Sequence, residues 1–281
     1  MRQQILDYAQ QEERVRAVLL GGSRADPDAR VDRYSDYDVI FVVRQLRHFT
    51  SNHAWTAFLG KFIISQRPAE MSVGQDTRVA GVFPYLMLLD DRNRVDLTLV
   101  SRRMALSGTC LHGPCELWLD KDDLFAGGLP RKDPRHFVGK PRRREFRDVC
   151  NEFWWVSVNV AKGLLRHEVT YAKYQLETAV RPMLMTMIEW RVGYDHEFSV
   201  RPGVGDKNLH RYISKKLYAQ VLQTYAGPGT RDNWRALLRM AKIFTKQSFV
   251  VGNHLGTVPD DSGKNVMAYL KMLYREGRQW E

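Results

Sequence analysis

The chain has 281 residues, of which 44% are hydrophobic, and it carries a formal net charge of +11 at pH 7. This length suffices for two domains with their own hydrophobic cores, and the composition excludes a disordered or fibrous protein. No apolar run reaches the roughly 20 residues of a membrane-spanning helix, and the positive charge favours anionic partners such as nucleotides or nucleic acid.

The N-terminal segment, residues 1–18, is polar and amphipathic, so it predicts a helix rather than a signal peptide. Three cysteines form no disulfide framework, as is usual in a reducing compartment. Both features predict a cytoplasmic protein. Cys110, His112 and Cys115 are near enough in sequence to bind a metal, but no residue at a suitable spacing supplies the fourth ligand of a closed zinc site.

The first half of the chain alternates strand patterns with turns. Residues 15–20 predict a first strand, which Gly21 and Gly22 end, and residues 36–43 predict a second. A third strand is predicted around Ile63, after a helix at residues 51–60 that begins with Ser and ends with Gly. Two further strands, 84–89 and 95–100, are predicted to form an antiparallel hairpin across a polar turn.

Glycine and proline accumulate at residues 125–134, and the character of the chain changes there. Later segments are almost wholly helical in pattern: 140–167, 169–180, 182–192, 214–225, 230–251 and 263–275. Ser214 and Thr230 are predicted helix caps. We therefore predict an α+β protein, with a mixed sheet and helices in residues 1–130 and an all-helical domain in residues 131–281.

Three aspartates predict a metal site. Asp36 and Asp38 stand two positions apart at the start of the second strand, where side chains share a face and like charges repel. Mg²⁺ is the natural cation between them, because it takes one or two carboxylates and leaves its other positions to water and phosphate. Asp96 is the only acid inside another apolar strand, where a carboxylate is costly unless it is paired or metal-bound. The alternative for Asp36 and Asp38 is a solvated strand end.

The residues that follow the first strand suit a phosphate. Gly21 and Gly22 predict a tight turn whose backbone amides can approach a phosphate closely. Ser23 adds a hydroxyl group, and Arg24 adds positive charge. Three acids, a metal site and a phosphate turn together predict phosphoryl or nucleotidyl transfer.

The spacing of these motifs resembles that of a known enzyme superfamily. The motif GGSR, with twelve residues between Ser23 and DYD, resembles the nucleotidyltransferase signature. The longer set LGGSR, SDYD, VDLTL and REFRDVCNEFWWVSVNVAKGL resembles the aminoglycoside 6-adenylyltransferases, which inactivate streptomycin. The resemblance runs from about residue 5 to about residue 250. It implies a nucleotidyltransferase catalytic domain at residues 1–130 and a helical substrate-binding domain at residues 131–281.

The resemblance also implies a reaction. AMP would pass from MgATP to the 6-hydroxyl of streptomycin, and pyrophosphate would leave. Asp36 and Asp38 would hold Mg²⁺, and Asp96 would either join them or take the proton from the attacking hydroxyl. The implied partners are therefore Mg²⁺, ATP and a cationic aminoglycoside, with no membrane and no nucleic acid. The oligomeric state is not predicted.

One face of the helix predicted at 140–167 could bind the substrates. Seven residues advance by alternate steps of three and four and share this face: Glu145, Asp148, Glu152, Trp155, Asn159, Lys162 and Arg166. The acidic half would bind the guanidinium groups of streptomycin, Trp155 would pack on a sugar ring, and Lys162 would reach the triphosphate. The alternative is an ordinary exposed helix, because the helix dipole favours acids at its start and bases at its end.

Two rival functions stay open from the sequence. One is a nucleotidyltransferase with another acceptor: a different aminoglycoside, a lincosamide, or a protein or RNA end. The acidic half of the stripe argues against RNA, which would favour basic residues there. The other is a degenerate, non-catalytic nucleotide-binding protein, against which the three retained aspartates argue.

Overall fold

The structure is a computed structural model that describes residues 1–27, 29–74, 78–111, 113–130 and 137–277. The chain divides into two compact units, Met1–Arg135 and His136–Glu281. The start of the predicted second domain, at residue 131, lies outside the described residues. Within the described ranges, no helix has both the length and the apolar character that a membrane span requires. The cytoplasmic location stays a prediction.

The first unit is built on a six-stranded mixed sheet. Its strands are β1 (Val15–Gly21), β2 (Tyr37–Val43), β3 (Phe62–Gln66), β4 (Val82–Leu89), β5 (Arg94–Ser101) and β6 (Glu116–Asp120). Their order across the sheet is β3-β4-β5-β2-β1-β6, with β2 and β5 parallel and the other neighbours antiparallel. The predicted β4–β5 hairpin is confirmed. The sequence analysis does not predict β6, because this strand contains none of the β-branched residues that favour strands.

The helices of this unit are short. They are α1 (Arg2–Gln11), the one-turn α2 (Gly22–Ala25), α3 (Leu46–Thr50) and α4 (Arg102–Leu106). The helix predicted at 51–60 is a shorter 3₁₀ helix, Ala54–Leu59, which ends at Gly60 with φ of 114°. Ser51 does not cap it: the N-cap residue is His53, which makes no side-chain cap, and Asn52 Oδ1 accepts a hydrogen bond of 2.9 Å from the Ala54 amide in the turn before the helix.

Alternation along the strands gives the sheet a separate apolar core on each face. Val39 and Phe41 of β2 pack in the core that also contains Ile5 of α1. Ile40 and Val42 pack in the second core with Ala105 of α4. Even-numbered positions of β2 therefore face the second core, and Asp38 continues their row at its open end.

Within the described residues, the regular structure of the second unit is entirely helical, which confirms the predicted fold class. The helices are α5 (Arg143–Leu165), α6 (Val169–Gln175), α7 (Arg181–Asp195), α8 (Lys215–Leu222), α9 (Thr230–Leu255) and α10 (Ser262–Gly277). The stacked rings of Phe153 on α5 and Phe244 on α9, with centroids 3.8 Å apart, lie in its core. Ser214 caps α8 as predicted, whereas Thr230 lies inside α9, after Gly229.

The segments predicted as separate helices at 169–180 and 182–192 are continuous. A π-helical turn, Leu176–Val180, joins α6 to α7. Pro182 has no N–H group, and its ring would clash with the carbonyl of Thr178 in a regular helix. A wider π turn directly before Pro182 relieves this conflict.

Two acids approach each other inside the second unit. Burial, and then the charge and hydrogen bond of Asp206, raise the pKa of Glu189 on α7 to about 7. Burial also raises the pKa of Asp206. The fold therefore favours a protonated carboxyl group in this pair.

We expect Glu189→Gln to stabilise the protein above pH 7 and to change its stability little below about pH 4.5. Between the ordinary value of 4.5 and about 7, the unfolded chain has lost a proton that the folded protein keeps. The free energy of unfolding of the wild type therefore falls as pH rises through this window. At about pH 8 the variant should be more stable by about 2 kcal/mol after allowance for solvent screening.

Thermal melts at several pH values test this expectation. Asp195→Asn is the control, because Asp195 is a partly exposed acid at the end of the same helix, paired with Arg191. This change removes one carboxylate from the same helix and leaves Glu189 and Asp206 in place. A Glu189→Gln variant with the wild-type slope of stability against pH would show that this half-buried pair holds no proton.

Candidate active site

The register of the sheet brings two of the predicted acids together. Asp38 pairs with Asp96 of β5 on one side and with Gly21 of β1 on the other. Neighbouring strands lie about 4.8 Å apart, and paired residues project from the same face. Asp36 directly precedes β2, which begins at Tyr37.

Arg94, the first residue of β5, links the aspartates into one cluster. Its Nε and Nη2 donate to the two carboxylate oxygens of Asp96 at 2.8 and 2.7 Å, and its Nη1 lies 3.6 Å from Asp36 Oδ2. The hydrogen bonds that Arg94 donates to Asp96 raise the pKa of Arg94, and the charges of Asp96, Asp36 and Asp38 add to this effect. The cluster is open to solvent, since Arg94 exposes 46% of its side chain and Asp36 exposes 35%.

The carboxylate of Asp38 packs directly against Gly22. A Cβ atom at position 22 would lie 1.8 Å from Asp38 Oδ2, and Gly22 has φ of +65°. Space and backbone conformation therefore both require glycine here. Gly21 differs, because a Cβ atom there would meet its nearest neighbour, the Asp38 carbonyl oxygen, at 3.7 Å.

The predicted phosphate turn is the single helical turn α2, which contains Gly22, Ser23 and Arg24. Ser23 is half-buried in this turn. Arg24 donates to the carbonyl oxygens of Ser35 at 2.8 Å and Asp36 at 3.1 Å, and its Cζ lies 3.9 Å from the ring centroid of Tyr37. Arg24 therefore holds the segment that leads into β2 and positions Asp36.

Sequence reasoning missed two residues of this site. Arg94 precedes Asp96 by two positions, so strand alternation could have placed both on one face. Cys115 has its Sγ 3.8 Å from the Cβ position of Gly21, and burial, with the charge of Asp38, raises the pKa of its thiol. The thiol is thus a neutral neighbour of Asp38. His112, the third residue of the rejected zinc set, lies outside the described residues.

The oxygen donors of Asp36, Asp38 and Asp96 suit Mg²⁺ in their chemistry. In the part of the chain that the structure describes, no three His, Cys, Asp or Glu side chains are already gathered as a metal-ligand set. The guanidinium of Arg94 contacts both Asp96 and Asp36 and supplies positive charge to the cluster. The donors fit the metal, but the two Arg94 contacts would have to open for Asp36 and Asp96 to turn to it.

The stripe predicted on the second unit lies on α5. Glu145, Asp148, Glu152 and Lys162 are exposed, and Asn159 is half-buried. Two of the acids also serve the helix itself. Glu145 Oε2 accepts a hydrogen bond of 2.8 Å from the Arg142 amide at the start of the helix, and Asp148 lies 3.7 Å from Arg144 in an exposed ion pair.

The middle of the stripe differs from an ordinary exposed helix. Trp155 exposes 71% of its surface, whereas the adjacent Trp154 is buried. The exposed indole of Trp155 leaves a large apolar area in contact with water, which is unfavourable. An ordinary solvated helix face would carry a polar residue at this position. Glu152 stands three residues before it. Lys162 lies in the last turn of α5, where the helix dipole favours a base, so its position agrees with either reading.

Comparison of the sequence with known proteins shows the family of the chain. The family model described as streptomycin adenylyltransferase matches residues 1–273. The chain belongs to this family. An aminoglycoside 6-adenylyltransferase of Bacillus subtilis (strain 168) is 33% identical over 96% of this chain and 95% of its own length. Proteins of the same name from Staphylococcus aureus and Campylobacter jejuni are 29% and 30% identical, over 85% and 89% of this chain and 85% and 86% of their own lengths.

A solved structure is similar to this member of the streptomycin adenylyltransferase family over nearly its whole length. The aminoglycoside 6-adenyltransferase from Bacillus subtilis is 30% identical, with a TM-score of 0.49, and the match covers 98% of this chain and 97% of the other. The family confirms the prediction that the protein is an adenylyltransferase enzyme. The roles of individual site residues stay predictions.

We expect Gly22→Ala to lower the rate of adenylyl transfer by about 100-fold and Gly21→Ala to preserve it. The new Cβ atom at position 22 would displace the Asp38 carboxylate, and a misplaced catalytic group typically costs about 100-fold in rate. The left-handed backbone should add about 1–2 kcal/mol of destabilisation. Turnover and melting temperature of both variants test this pair. Wild-type turnover in Gly22→Ala would mean that Asp38 need not pack on Gly22.

Proposed function

We propose that the protein transfers AMP from MgATP to the 6-hydroxyl of streptomycin, which releases pyrophosphate and inactivates the antibiotic. The observation that carries the proposal is the cluster of Asp36, Asp38 and Asp96 around Arg94 in a chain of an adenylyltransferase family. The names of the relatives support an aminoglycoside as acceptor and position 6 as its site. The description of the family supports streptomycin within that class.

The acid cluster would serve the chemical step. Asp36 and Asp38 would hold Mg²⁺, which when bound neutralises charge on the triphosphate and polarises the reacting phosphoryl group. Asp96 would either complete the ligand set or accept the proton of the attacking hydroxyl. The hydroxyl oxygen forms a bond to the α-phosphorus of ATP, and the bond from that phosphorus to the pyrophosphate oxygen breaks.

The turn after β1 would bind the nucleotide. Gly22 leaves room for close approach, and Ser23 offers an amide and a hydroxyl group to phosphate oxygens. Arg24 would contribute positive charge while its hydrogen bonds keep Asp36 in place. Lys162, exposed at the end of α5, would add a second positive charge for the triphosphate.

The stripe on α5 would receive the acceptor. A protein of net charge +11 repels a cationic drug unless a local acidic surface attracts it. Glu152 would form charge-assisted hydrogen bonds with a guanidinium group, and the exposed ring of Trp155 offers a face for a sugar or a cation. Glu145, Asp148 and Asn159 would add polar contacts on the same stripe.

Incubation of the protein with MgATP and a panel of aminoglycosides tests the reaction. We expect streptomycin to gain the mass of one adenylyl group, with release of one pyrophosphate per product. Asp38→Asn should lose this activity and still fold, with a cooperative melting curve, because the change removes a charge without changing the size of the side chain. Asp7→Asn on α1 is the matched control and should remain active. Modification of another aminoglycoside but not streptomycin would overturn the assigned acceptor, and turnover by Asp38→Asn would remove Asp38 from the mechanism.

Binding measurements on Glu152→Gln test the role of the stripe. We expect streptomycin affinity to fall by about tenfold or more, because a hydrogen bond between charged partners contributes about 1.5–3 kcal/mol. Affinity for a non-hydrolysable ATP analogue should change less than about twofold. Glu276→Gln, an exposed acid on α10, controls for the loss of one negative charge. Equal losses of affinity for streptomycin and for the ATP analogue would indicate that the stripe is the ordinary charge pattern of an exposed helix.

A further inference from the structure

Arg94 holds a position that the motifs of the sequence do not explain. It bridges Asp96 and Asp36, two of the three acids that the proposed reaction needs for its cation. We propose that Arg94 is a built-in competitor of the divalent cation: its guanidinium neutralises Asp96 and Asp36 in the nucleotide-free protein and leaves them when the cation enters. This inference rests on the proposed function, since it takes the three aspartates as the metal site.

The contact between Arg94 and Asp96 occupies both oxygens of the carboxylate. The two N–H···O distances, 2.8 and 2.7 Å, describe the bidentate fork that is among the strongest pairings of side chains in proteins. A cation that takes either oxygen as ligand meets the positive charge of the guanidinium at short range. Binding of the cation and retention of this fork therefore oppose each other.

The cluster needs such a positive charge when no cation is bound. Asp38 and Asp96 are direct partners in the parallel ladder, and Asp36 reaches the same guanidinium. Like charges at neighbouring positions of a sheet destabilise the fold. Arg94 offsets this repulsion in the free protein, and the cation takes over that role in the complex.

Arg94 is also placed to move without disturbing the fold. It is the first residue of β5, its backbone pairs with Leu88 of β4, and its side chain is 46% exposed. The guanidinium can therefore turn into solvent while the strand stays in place. Once displaced, it remains beside the site, where a triphosphate attracts it. Cation and nucleotide together then displace Arg94 more readily than the cation alone.

Mn²⁺ binding to the nucleotide-free protein tests the proposal, with free Mn²⁺ measured by electron paramagnetic resonance. We expect Arg94→Ala and Arg94→Gln to bind Mn²⁺ about tenfold more tightly than the wild type, because the competing charge is gone. Arg94→Lys keeps the charge and should stay closer to the wild type. Arg47→Ala removes an exposed positive charge from α3 and should leave Mn²⁺ affinity unchanged.

Melting temperatures give a second measurement that does not depend on turnover. Arg94→Ala and Arg94→Gln should melt below the wild type in the absence of divalent cation, and Mn²⁺ should raise their melting temperatures more than that of the wild type. Arg94→Gln keeps a hydrogen-bond donor for Asp96, so it remains informative if Arg94→Ala folds poorly.

The role of Arg94 as competitor is overturned if Arg94→Ala and Arg94→Gln bind Mn²⁺ no more tightly than the wild type. The same holds if neither the wild type nor these variants bind Mn²⁺. Failure of the proposed function gives a different result. If the wild type adenylylates streptomycin but the Arg94 variants bind Mn²⁺ no more tightly, only this inference fails. If the variants gain affinity and no aminoglycoside is modified, the assigned reaction fails and the competition stands.

Discussion

Three like charges can share one end of a sheet only if positive charge lies among them, and this constraint organises the site. The register of β2 sets Asp38 between Gly21 and Asp96, while Arg24 holds the segment that carries Asp36. Arg94 supplies the compensating charge. The sheet therefore determines where the acids lie, and the arginines make their proximity tolerable.

Local sequence patterns predict the strands and the acids but not how the strands pair. The alternation of DYDVIFVV predicts which residues share the face of Asp38, and VDLTLV predicts an acid inside a strand. The parallel pairing of β2 with β5 joins residues that are distant in sequence, so no local period reveals it. Alternation within β5 places Arg94 on the face of Asp96, but its contact with Asp36 depends on the long-range pairing. The family resemblance, rather than periodicity, links the three acids to a reaction.

In the helical unit, too, the sequence predicts some features of the structure and not others. A period of 3.6 residues predicts the exposed face of α5, but not that Glu145 accepts a hydrogen bond from the Arg142 amide, because Arg142 stands where Ser or Thr usually marks such a helix start. A new helix or a kink is expected at Pro182, and the structure has a π turn inside continuous helix directly before it. Sequence thus predicts where helices occur better than how they begin, end or join.

The pairing of Asp38 with Asp96 joins residues 58 positions apart in the chain. During synthesis, β2 is complete before β5 leaves the ribosome, so the backbone hydrogen-bonding groups on that edge of β2 lack their partner strand until then. A nascent chain that stops in the β4–β5 turn has no assembled acid cluster, however complete its first strands are. The catalytic centre is therefore assembled by a long-range contact, a late and slow event in the biogenesis of the protein.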